Sequence, residues 1–270
     1  MSSLPRKTTF FVFTFVLIVT VVDGLTPKIN RIEMFSSNKN INDGQLSIAL
    51  LSDLHIANNS ESLNNIAALW KDVVAEAPDI IMLAGDYVNN GGAGDDLTLH
   101  RLAIASVLAN TDGIPVVAVL GNHEQWSNSA LWAQAFGEYG VVVLENQVKA
   151  MANLNLCVRG FSDAFTDQFS YLDFPEACED SVKISLTHDP AGAFDAAVTG
   201  LVLAGHTHCG QIRLPFIGPL YVPSTAPSSA HCGLYEDDQR QVFVSSGVGT
   251  SVLPIRFLAQ AQWDLITIKY

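Results

Sequence analysis

Short apolar runs without internal polar residues alternate with helix-like segments over the first half of the chain. The apolar runs predict buried strands at Ile48–Leu51, Ile80–Ala84, Pro115–Leu120 and Val141–Leu144. The intervening segments predict helices at Ser60–Ala77, Asp96–Leu108 and Ser127–Tyr139, the first with apolar positions at steps of three and four. Strands that are apolar on both faces and alternate with helices are typical of a parallel sheet covered on both sides. The pattern therefore predicts an α/β fold.

The remainder of the chain is richer in strands than in helices. We expect an edge strand at Lys28–Phe35 and further strands at Leu154–Gly160, Val182–Leu186, Leu201–Ala204, Val242–Ser245 and Trp263–Lys269. The prolines and glycines of Leu214–Ser229 indicate a long surface loop. With 270 residues, 49% of them hydrophobic, the chain is long enough to bury a large core and is not a disordered chain. We expect two mixed sheets flanked by helices, with residues 25–44 as edge strand and linker and residues 45–270 as the main domain.

The N-terminal segment has a separate character. The basic pair Arg6-Lys7 precedes thirteen uninterrupted apolar or small residues from Phe10 to Val22. A spanning helix needs about 20 residues, whereas this length fits the apolar part of an export signal. Residues 1–24 therefore predict a signal peptide or an uncleaved membrane anchor. We expect a membrane-associated or exported protein of the cell envelope. A location at the cytoplasmic face of the membrane is the alternative.

The charge and the cysteines narrow the partners. The formal net charge of −13 repels nucleic acid and anionic headgroups at long range, so we expect no nucleic-acid partner. An anionic substrate would have to be captured locally by metal. We expect the protein to be a monomer.

The four cysteines contain no C-x-x-C pair, which disfavours a zinc knuckle. A Cys209–Cys232 disulfide is one hypothesis, and two buried free thiols are the alternative.

Short blocks of His, Asp and Asn follow five of the apolar runs. They are Asp53-Leu54-His55, Gly85-Asp86, Gly121-Asn122-His123-Glu124, His188-Asp189 and Gly205-His206-Thr207-His208. In α/β sheets, chemistry collects beyond the carboxyl ends of the strands, so we expect these blocks to converge. Oxygen and imidazole ligands without a thiolate indicate divalent cations rather than a structural zinc site. A carboxylate that bridges two cations is the natural way to hold them close together.

In order and spacing these blocks resemble the calcineurin-like metallophosphoesterase pattern over roughly residues 45–270. Residues 205–215, Gly233-Leu234-Tyr235 and 245–256 further resemble the YaeI/YkuE-type phosphodiesterase branch of that family. The resemblance implies a four-layer αββα sandwich of two mixed sheets flanked by helices. The chain departs from the family pattern at Cys209 and Ala57, where the family usually has glycine, and this concerns the geometry of the rim rather than the ligands.

The resemblance also implies roles for individual residues. One cation would be bound by Asp53, His55, Asp86 and His208, and a second by Asp86, Asn122, His188 and His206. Asp86 would thus bridge two divalent ions, for which we expect Mn²⁺, with Fe, Zn or Mg as alternatives. Asp86 and Asn122 would take part in catalysis through the metals, and His123 would contact the phosphoryl or leaving-group oxygen as a cation or general acid.

The function that these residues imply is hydrolysis of a phosphodiester or pyrophosphate bond. A nucleotide lipid of the UDP-2,3-diacylglucosamine type is a candidate substrate within the branch, which would connect the protein to lipid A biosynthesis. A general envelope phosphodiesterase or phosphatase is the alternative, and a non-catalytic scaffold is disfavoured because every ligand is kept. A protein Ser/Thr phosphatase is disfavoured because Gly85-Asp86 is not followed by Asp-Arg-Gly. Arg213 and His231 are candidate substrate contacts, and Trp126 and Tyr221 are candidates for lining a pocket.

Overall fold

Two six-stranded mixed sheets and four α-helices form the fold in this computed structural model, which describes residues 25–36, 38, 41, 43–89 and 97–270. The helices are α1 Ser60–Ala75, α2 Thr98–Leu108, α3 Asn122–Trp126 and α4 Ser129–Glu138. The strands are β1 Lys28–Phe35, β2 Gln45–Leu51, β3 Ile80–Leu83, β4 Val116–Ala118, β5 Val142–Val143, β6 Gln147–Met151, β7 Leu156–Gly160, β8 Val182–Leu186, β9 Gly200–Ala204, β10 Arg213–Leu214, β11 Gly218–Pro219, β12 Gly233–Glu236, β13 Arg240–Val244 and β14 Gln262–Lys269. The predicted signal or anchor at residues 1–24 lies outside the described residues.

The first sheet has the strand order β1-β14-β2-β3-β4-β5. Strands β2 to β5 are parallel, which confirms the predicted parallel arrangement of the first half. Strand β14 is antiparallel to β2, and the edge strand β1 is parallel to β14 over the predicted range. The carboxyl ends of β2, β3 and β4 therefore lie together at one end of the sheet, and the carboxyl end of β1 lies at the opposite end.

The second sheet has the order β12-β13-β9-β8-β7-β6. Strands β13, β9, β8 and β7 are parallel, and the two outer strands β12 and β6 are antiparallel to their neighbours. Strands β6 and β12 and the β10–β11 hairpin were not predicted. The hairpin lies inside the stretch predicted as a loop, where the strands have only two residues each.

The main core lies between the two sheets. Ile48 and Val117 of the first sheet pack in one buried cluster with Ile184 and Leu203 of the second. Strands buried on both faces explain why their sequences do not alternate in polarity. The other face of the first sheet packs on helices α1, α2 and α4 through residues such as Trp70, Ile104 and Phe136.

The predicted fold class is confirmed. The layer outside the first sheet is made of α-helices, whereas the layer outside the second sheet is made of loops and 3₁₀ helices. There Val202 and Val242 pack against Phe161 and Ala193, and Ala193 belongs to the 3₁₀ helix Pro190–Phe194. Loop and 3₁₀ segments cover this face, with partly buried residues such as Phe169 and Leu172 packed against it. Among the described residues, no helix has both the length and the apolar character needed to cross a bilayer.

Two disulfides cross-link residues within the second half of the chain. Cys209 is bonded to Cys232, as hypothesised, and Cys157 on β7 is bonded to Cys178. The Cys157–Cys178 pairing was not predicted, because the residues are 21 positions apart and no local pattern relates them. The Cys209–Cys232 bond closes a loop directly beside His208.

Candidate metal centre

The ends of five parallel strands bring the predicted blocks together. Asp53 and His55 follow β2, Asp86 follows β3, and Asn122 and His123 follow β4. His188 follows β8, and His206 and His208 follow β9. All seven candidate ligands are buried, which confirms the expectation that the blocks converge. Their assignment as metal ligands rests on the geometry described next.

The first group of candidate ligands is Asp53, His55 and His208. The Nε2 atoms of His55 and His208 are 3.0 Å apart. Oδ1 of Asp53 lies 3.3 Å from Nε2 of His208 and has no hydrogen-bond partner among the described residues, although it is buried. A buried carboxylate oxygen without a partner is costly, and a cation would satisfy it. The three side chains could hold one metal ion.

The second group is Asn122, His188 and His206. Nε2 of His188 lies 3.2 Å from Oδ1 of Asn122 and 3.1 Å from Nδ1 of His206. Nδ1 of His188 is 2.6 Å from the carbonyl oxygen of Ala84, and Nε2 of His206 is 2.6 Å from that of Pro223. Carbonyl oxygens only accept, so these outer nitrogens carry hydrogens and the inner nitrogens of both rings face the centre. A positive charge between the two facing nitrogens, either a proton or a metal ion, stabilises this arrangement.

Asp86 lies between the two groups. Its Oδ2 is 3.3 Å from Nε2 of His188 and 3.7 Å from Nε2 of His55. It is also 3.8 Å from Nε2 of His123, whose side chain remains partly accessible. Asp86 thus belongs to two groups able to hold a metal ion, one with His55 and His123 and one with His188 and His206. A carboxylate in this position can contact cations on both sides.

The electrostatics of the site favour added positive charge. Burial lowers the pKa of His55 to about 4 and that of His208 to about 3, so both rings are neutral at pH 7. Burial also disfavours the cation of His188, yet the Asp86 carboxylate raises the pKa of His188 well above its usual value. The same ring holds the pKa of Asp86 well below its usual range, despite burial. A divalent cation can supply the charge that the proton of His188 supplies, so the residues present fit a metal.

The backbone at the site is held in an uncommon conformation. Asp53, His55, Asp86, His206 and His208 all have φ between 46° and 68°. Non-glycine residues adopt this left-handed region infrequently, and such strain persists where the surrounding structure enforces it. This left-handed conformation is incompatible with the hydrogen bonding of a strand. The chain therefore leaves the sheet at these residues, and their side chains turn over the end of the sheet. The close packing there requires glycine at 121, where a Cβ would lie 2.7 Å from the amide nitrogen of Asp86.

Glu124 supports the loop that carries Asp86. Its Oε2 accepts hydrogen bonds from the backbone N–H groups of Asp86 at 2.8 Å and Gly121 at 3.0 Å. Its Oε1 accepts from the N–H groups of Tyr87 at 2.8 Å and Val88 at 3.2 Å. Burial and the charge of Asp86 raise the pKa of Glu124 to about 7. Glu124 therefore holds the loop of Asp86 in place and does not lie in solvent.

A cavity of about 760 Å³ opens beside the two groups. Asp86, Asn122, His123, His206 and His208 are on its polar side. Its walls are mainly apolar and include Trp126, Phe165, Leu220, Tyr221, Val252 and Leu253. Trp126 and Tyr221 thus line the pocket, as the sequence suggested as one alternative.

Phe165 was not singled out from the sequence. Its ring centroid lies 4.8 Å from that of His206, and Trp126 lies 5.2 Å from His123. Phe165 comes soon after the carboxyl end of β7, so the strand-end rule that located the ligands could also have found this residue.

Four further polar residues are not among those that line the cavity. Arg213 donates to the carbonyl oxygen of Cys209, and His231 contacts the carbonyl oxygen of Ala226. A role for Arg213 and His231 in binding substrate stays a prediction, and their contacts with backbone carbonyl oxygens do not support it. Arg256 is completely buried, donates to the carbonyl oxygens of Ser246 and Gly249, and so braces the loop beside His208. His100 on α2 is buried, with Nε2 3.0 Å from the carbonyl oxygen of Ile56.

Known proteins are similar to this chain. A model of the calcineurin-like phosphoesterase family matches residues 46–210. The uncharacterized metallophosphoesterase YkuE of Bacillus subtilis is 25% identical over 230 residues, covering 82% of this chain and 78% of YkuE. The phosphodiesterase YaeI of Escherichia coli is 28% identical over 230 residues, covering 82% of this chain and 80% of YaeI. A solved 5'-nucleotidase precursor from Thermus thermophilus aligns with a TM-score of 0.45 at 16% identity, over 76% of this chain and 50% of that one, so the chain spans half its length.

Proposed function

The chain belongs to the calcineurin-like phosphoesterase family, whose members are hydrolases of phosphoric esters, and we propose that it cleaves a phosphodiester or pyrophosphate bond with two divalent cations. The position of Asp86 carries this proposal. One carboxylate oxygen faces His188 on one side and His55 on the other, at 3.3 Å and 3.7 Å. A single cation would not need both groups of imidazoles. The name of YaeI, a phosphodiesterase, supports the choice of a diester.

One cation would be held by Asp53, His55 and His208. The other would be held by Asn122, His188 and His206, and Asp86 would contact both cations. When bound, a pair of divalent cations lowers the pKa of water and neutralises charge on the phosphoryl oxygens. The protein keeps the ligand rings in place through the carbonyl oxygens of Ala84 and Pro223. We propose Mn²⁺ as the working metal, because the ligand set mixes carboxylate and amide oxygens with imidazoles.

His123 is placed to act on the substrate rather than on the metals. It lines the cavity, and its backbone N–H donates to Oδ1 of Asp86 at 3.0 Å, which fixes its position relative to the bridging carboxylate. Its ring packs against Trp126. From there the imidazole would donate a proton to the oxygen of the leaving group, so that this oxygen does not depart with a full negative charge.

The apolar walls favour a substrate with an apolar part. Trp126, Phe165 and Leu253 stand beside the polar cluster, so one end of a substrate would meet charge and the other end hydrocarbon. A nucleotide lipid of the UDP-2,3-diacylglucosamine type has this character, with a pyrophosphate between a polar head and acyl chains. We propose it as the substrate class, and soluble envelope diesters as the alternative.

The test is a comparison of three substrates. Purified protein is stripped of metal, reloaded with Mn²⁺ and assayed with bis-p-nitrophenyl phosphate, p-nitrophenyl phosphate and the UDP-diacylglucosamine lipid. We expect diester and lipid turnover, loss of both in Asp86→Asn, and no loss in the exposed control Asp238→Asn. Turnover of the monoester alone would reject the diesterase proposal. Turnover of the diester without the lipid would reject only the lipid, and no turnover of any substrate would favour a scaffold.

A further inference from the structure

An exposed apolar surface adjoins the mouth of the cavity. We call it the apolar rim and define it as Phe216, Ile217, Leu220, Tyr221, Val252 and Leu258. Phe216 at the turn of the β10–β11 hairpin is completely exposed, Val252 is 96% exposed, and Ile217 and Tyr221 are 73% and 74% exposed. Large apolar side chains that cluster in this way on a surface mark an interaction site.

Hydrogen bonds fasten the two halves of the rim to each other. The side-chain amide of Gln211 donates to the carbonyl oxygens of Ser251 and Leu253, and its oxygen accepts from the N–H of Ser251. The N–H of Arg213 also donates to the carbonyl oxygen of Phe257 at 2.9 Å. The hairpin and the loop 251–258 therefore form one surface. Leu220, Tyr221 and Val252 also line the cavity, so the rim continues into it.

The rim is also nearly free of charge. Residues 214–232 contain no Asp, Glu, Lys or Arg, in a chain with 27 acidic and 14 basic residues. Residues 246–262 contain only Arg256, which is buried. With a net charge of −13, the protein as a whole is repelled by anionic headgroups at long range. This face can approach by apolar contact alone.

Strained backbone presents the tips of the rim. Phe216, Val252 and Leu258 have φ of 65°, 62° and 52°. A β-branched residue such as Val252 is a clear outlier in this region. Strain of this kind is usually retained where a side chain must point in a required direction. Here it directs three apolar side chains outward.

The predicted membrane segment joins the domain near the same surface. The apolar run Phe10–Val22 ends just before Leu25, where the described chain begins. The carbonyl oxygen of Thr26 accepts a hydrogen bond from the side chain of Gln260, which is two residues from Leu258. A membrane that holds the N-terminal segment would therefore be close to the rim.

From these observations we propose that the apolar rim docks on a lipid bilayer by inserting Phe216, Ile217, Val252 and Leu258 among the acyl chains. The single-residue tips and the absence of charge suit the interfacial region of a membrane better than a protein partner, whose interface would need paired polar groups at its edge. Docking in this way opens the cavity toward the membrane. The proposal concerns binding and does not depend on the substrate.

The test places a fluorescent label in the rim of the full-length chain. All four native cysteines are in disulfides, so a single introduced cysteine is the only free thiol. Phe216→Cys carries an environment-sensitive dye, and Phe35→Cys is the matched control. Phe35 is an exposed phenylalanine at the end of β1, at the sheet edge opposite the site. Both proteins are mixed with phosphatidylcholine vesicles that contain nitroxide-labelled acyl chains.

We expect the dye at residue 216 to shift its emission to shorter wavelength and to be quenched by the nitroxide lipid. The dye at residue 35 should stay in water. Water-like, unquenched emission at residue 216 on vesicles overturns the proposal. A shift at residue 216 without vesicles also overturns it, because the chain's own N-terminal segment or a second copy would then cover the rim.

A second variant separates docking from folding. In Phe216→Ser/Ile217→Ser with the dye at Val252→Cys, we expect quenching at residue 252 to fall to the level of the residue 35 control. Phe216 and Ile217 do not line the cavity, so Phe216→Ser/Ile217→Ser with the native Val252 and no dye should hydrolyse soluble bis-p-nitrophenyl phosphate at the parent rate. Undiminished quenching in this variant contradicts insertion of the hairpin.

Discussion

The carboxylate of Glu124 accepts a hydrogen bond from the backbone N–H of Asp86 at 2.8 Å, and Asp86 in turn accepts one from the backbone N–H of His123 at 3.0 Å. The strand end that carries the central carboxylate and the helix that carries the candidate acid are thus held together by two reciprocal bonds. The position of Asp86 depends on a residue that would touch neither metal nor substrate.

Replacing Glu124 with glutamine tests this support. An amide has one accepting oxygen, so two of the four backbone N–H groups now bonded to Glu124 would face an NH₂ group. We expect the affinity for Mn²⁺ to fall roughly 10–100-fold, as for other residues that orient metal ligands. Calorimetric titration of metal-free protein measures it, with the exposed Glu138→Gln as control. Unchanged affinity in Glu124→Gln would contradict the supporting role.

His123→Ala tests the assignment of the proton donor. We assign His123 to the substrate, although its ring also forms a group with His55 and Asp86 that could hold an ion. On this assignment the variant should bind metal as the parent protein does. The hydrolysis rate should fall by roughly 10²–10⁴, the usual contribution of general acid catalysis. Metal analysis and steady-state kinetics on the same sample give both readings. If metal is lost together with rate, His123 is a ligand and not an acid.

The two disulfides provide a matched pair. Their cysteines are 23 and 21 positions apart, so each bond should stabilise the fold by a similar amount, about 3 kcal/mol. We expect Cys209→Ser/Cys232→Ser and Cys157→Ser/Cys178→Ser to lose similar free energy of unfolding in urea. Only the first should also lose Mn²⁺ affinity, because Cys209 directly follows His208. Equal loss of metal affinity in both variants would show that general destabilisation is the cause.

Asp264 provides a pH dependence away from the metal centre. It accepts hydrogen bonds from Ser245 and Asn30, and burial raises its pKa to about 6. Its folded-state pKa is raised, so its contribution to stability is complete below pH 4 and is lost as the pH rises through 6. We expect the stability of Asp264→Asn relative to the parent to rise between pH 4 and 6, by on the order of 2 kcal/mol. Urea unfolding at several pH values measures this, and a flat difference would contradict the shift.

Strand ends were the most informative part of the sequence. The run Lys28–Phe35 predicted β1 at its observed bounds, and Val182–Leu186 predicted β8. Each polar block after such a run was expected at the sheet edge, and Asp53, Asp86 and His188 are found there together. The rule works because parallel strands share one edge, so a local pattern has a defined position in space.

Features that depend on distant contacts could not be predicted in the same way. His100 shares the buried face of α2 with Ile104 and Leu108, but its partner, the carbonyl oxygen of Ile56, lies 44 positions away and no local pattern identifies it. The β10–β11 hairpin has two-residue strands that leave no period to detect. The role of Glu124 depends on the direction of a carboxylate between two loops, which a list of residue types does not contain.

The most direct test of the account is anomalous diffraction from crystals grown with Mn²⁺. Two manganese peaks should appear, one beside Asp53, His55 and His208 and one beside Asn122, His188 and His206, with the carboxylate of Asp86 in contact with both. A single peak, or peaks that do not touch Asp86, would contradict the central claim that this carboxylate joins two metal sites.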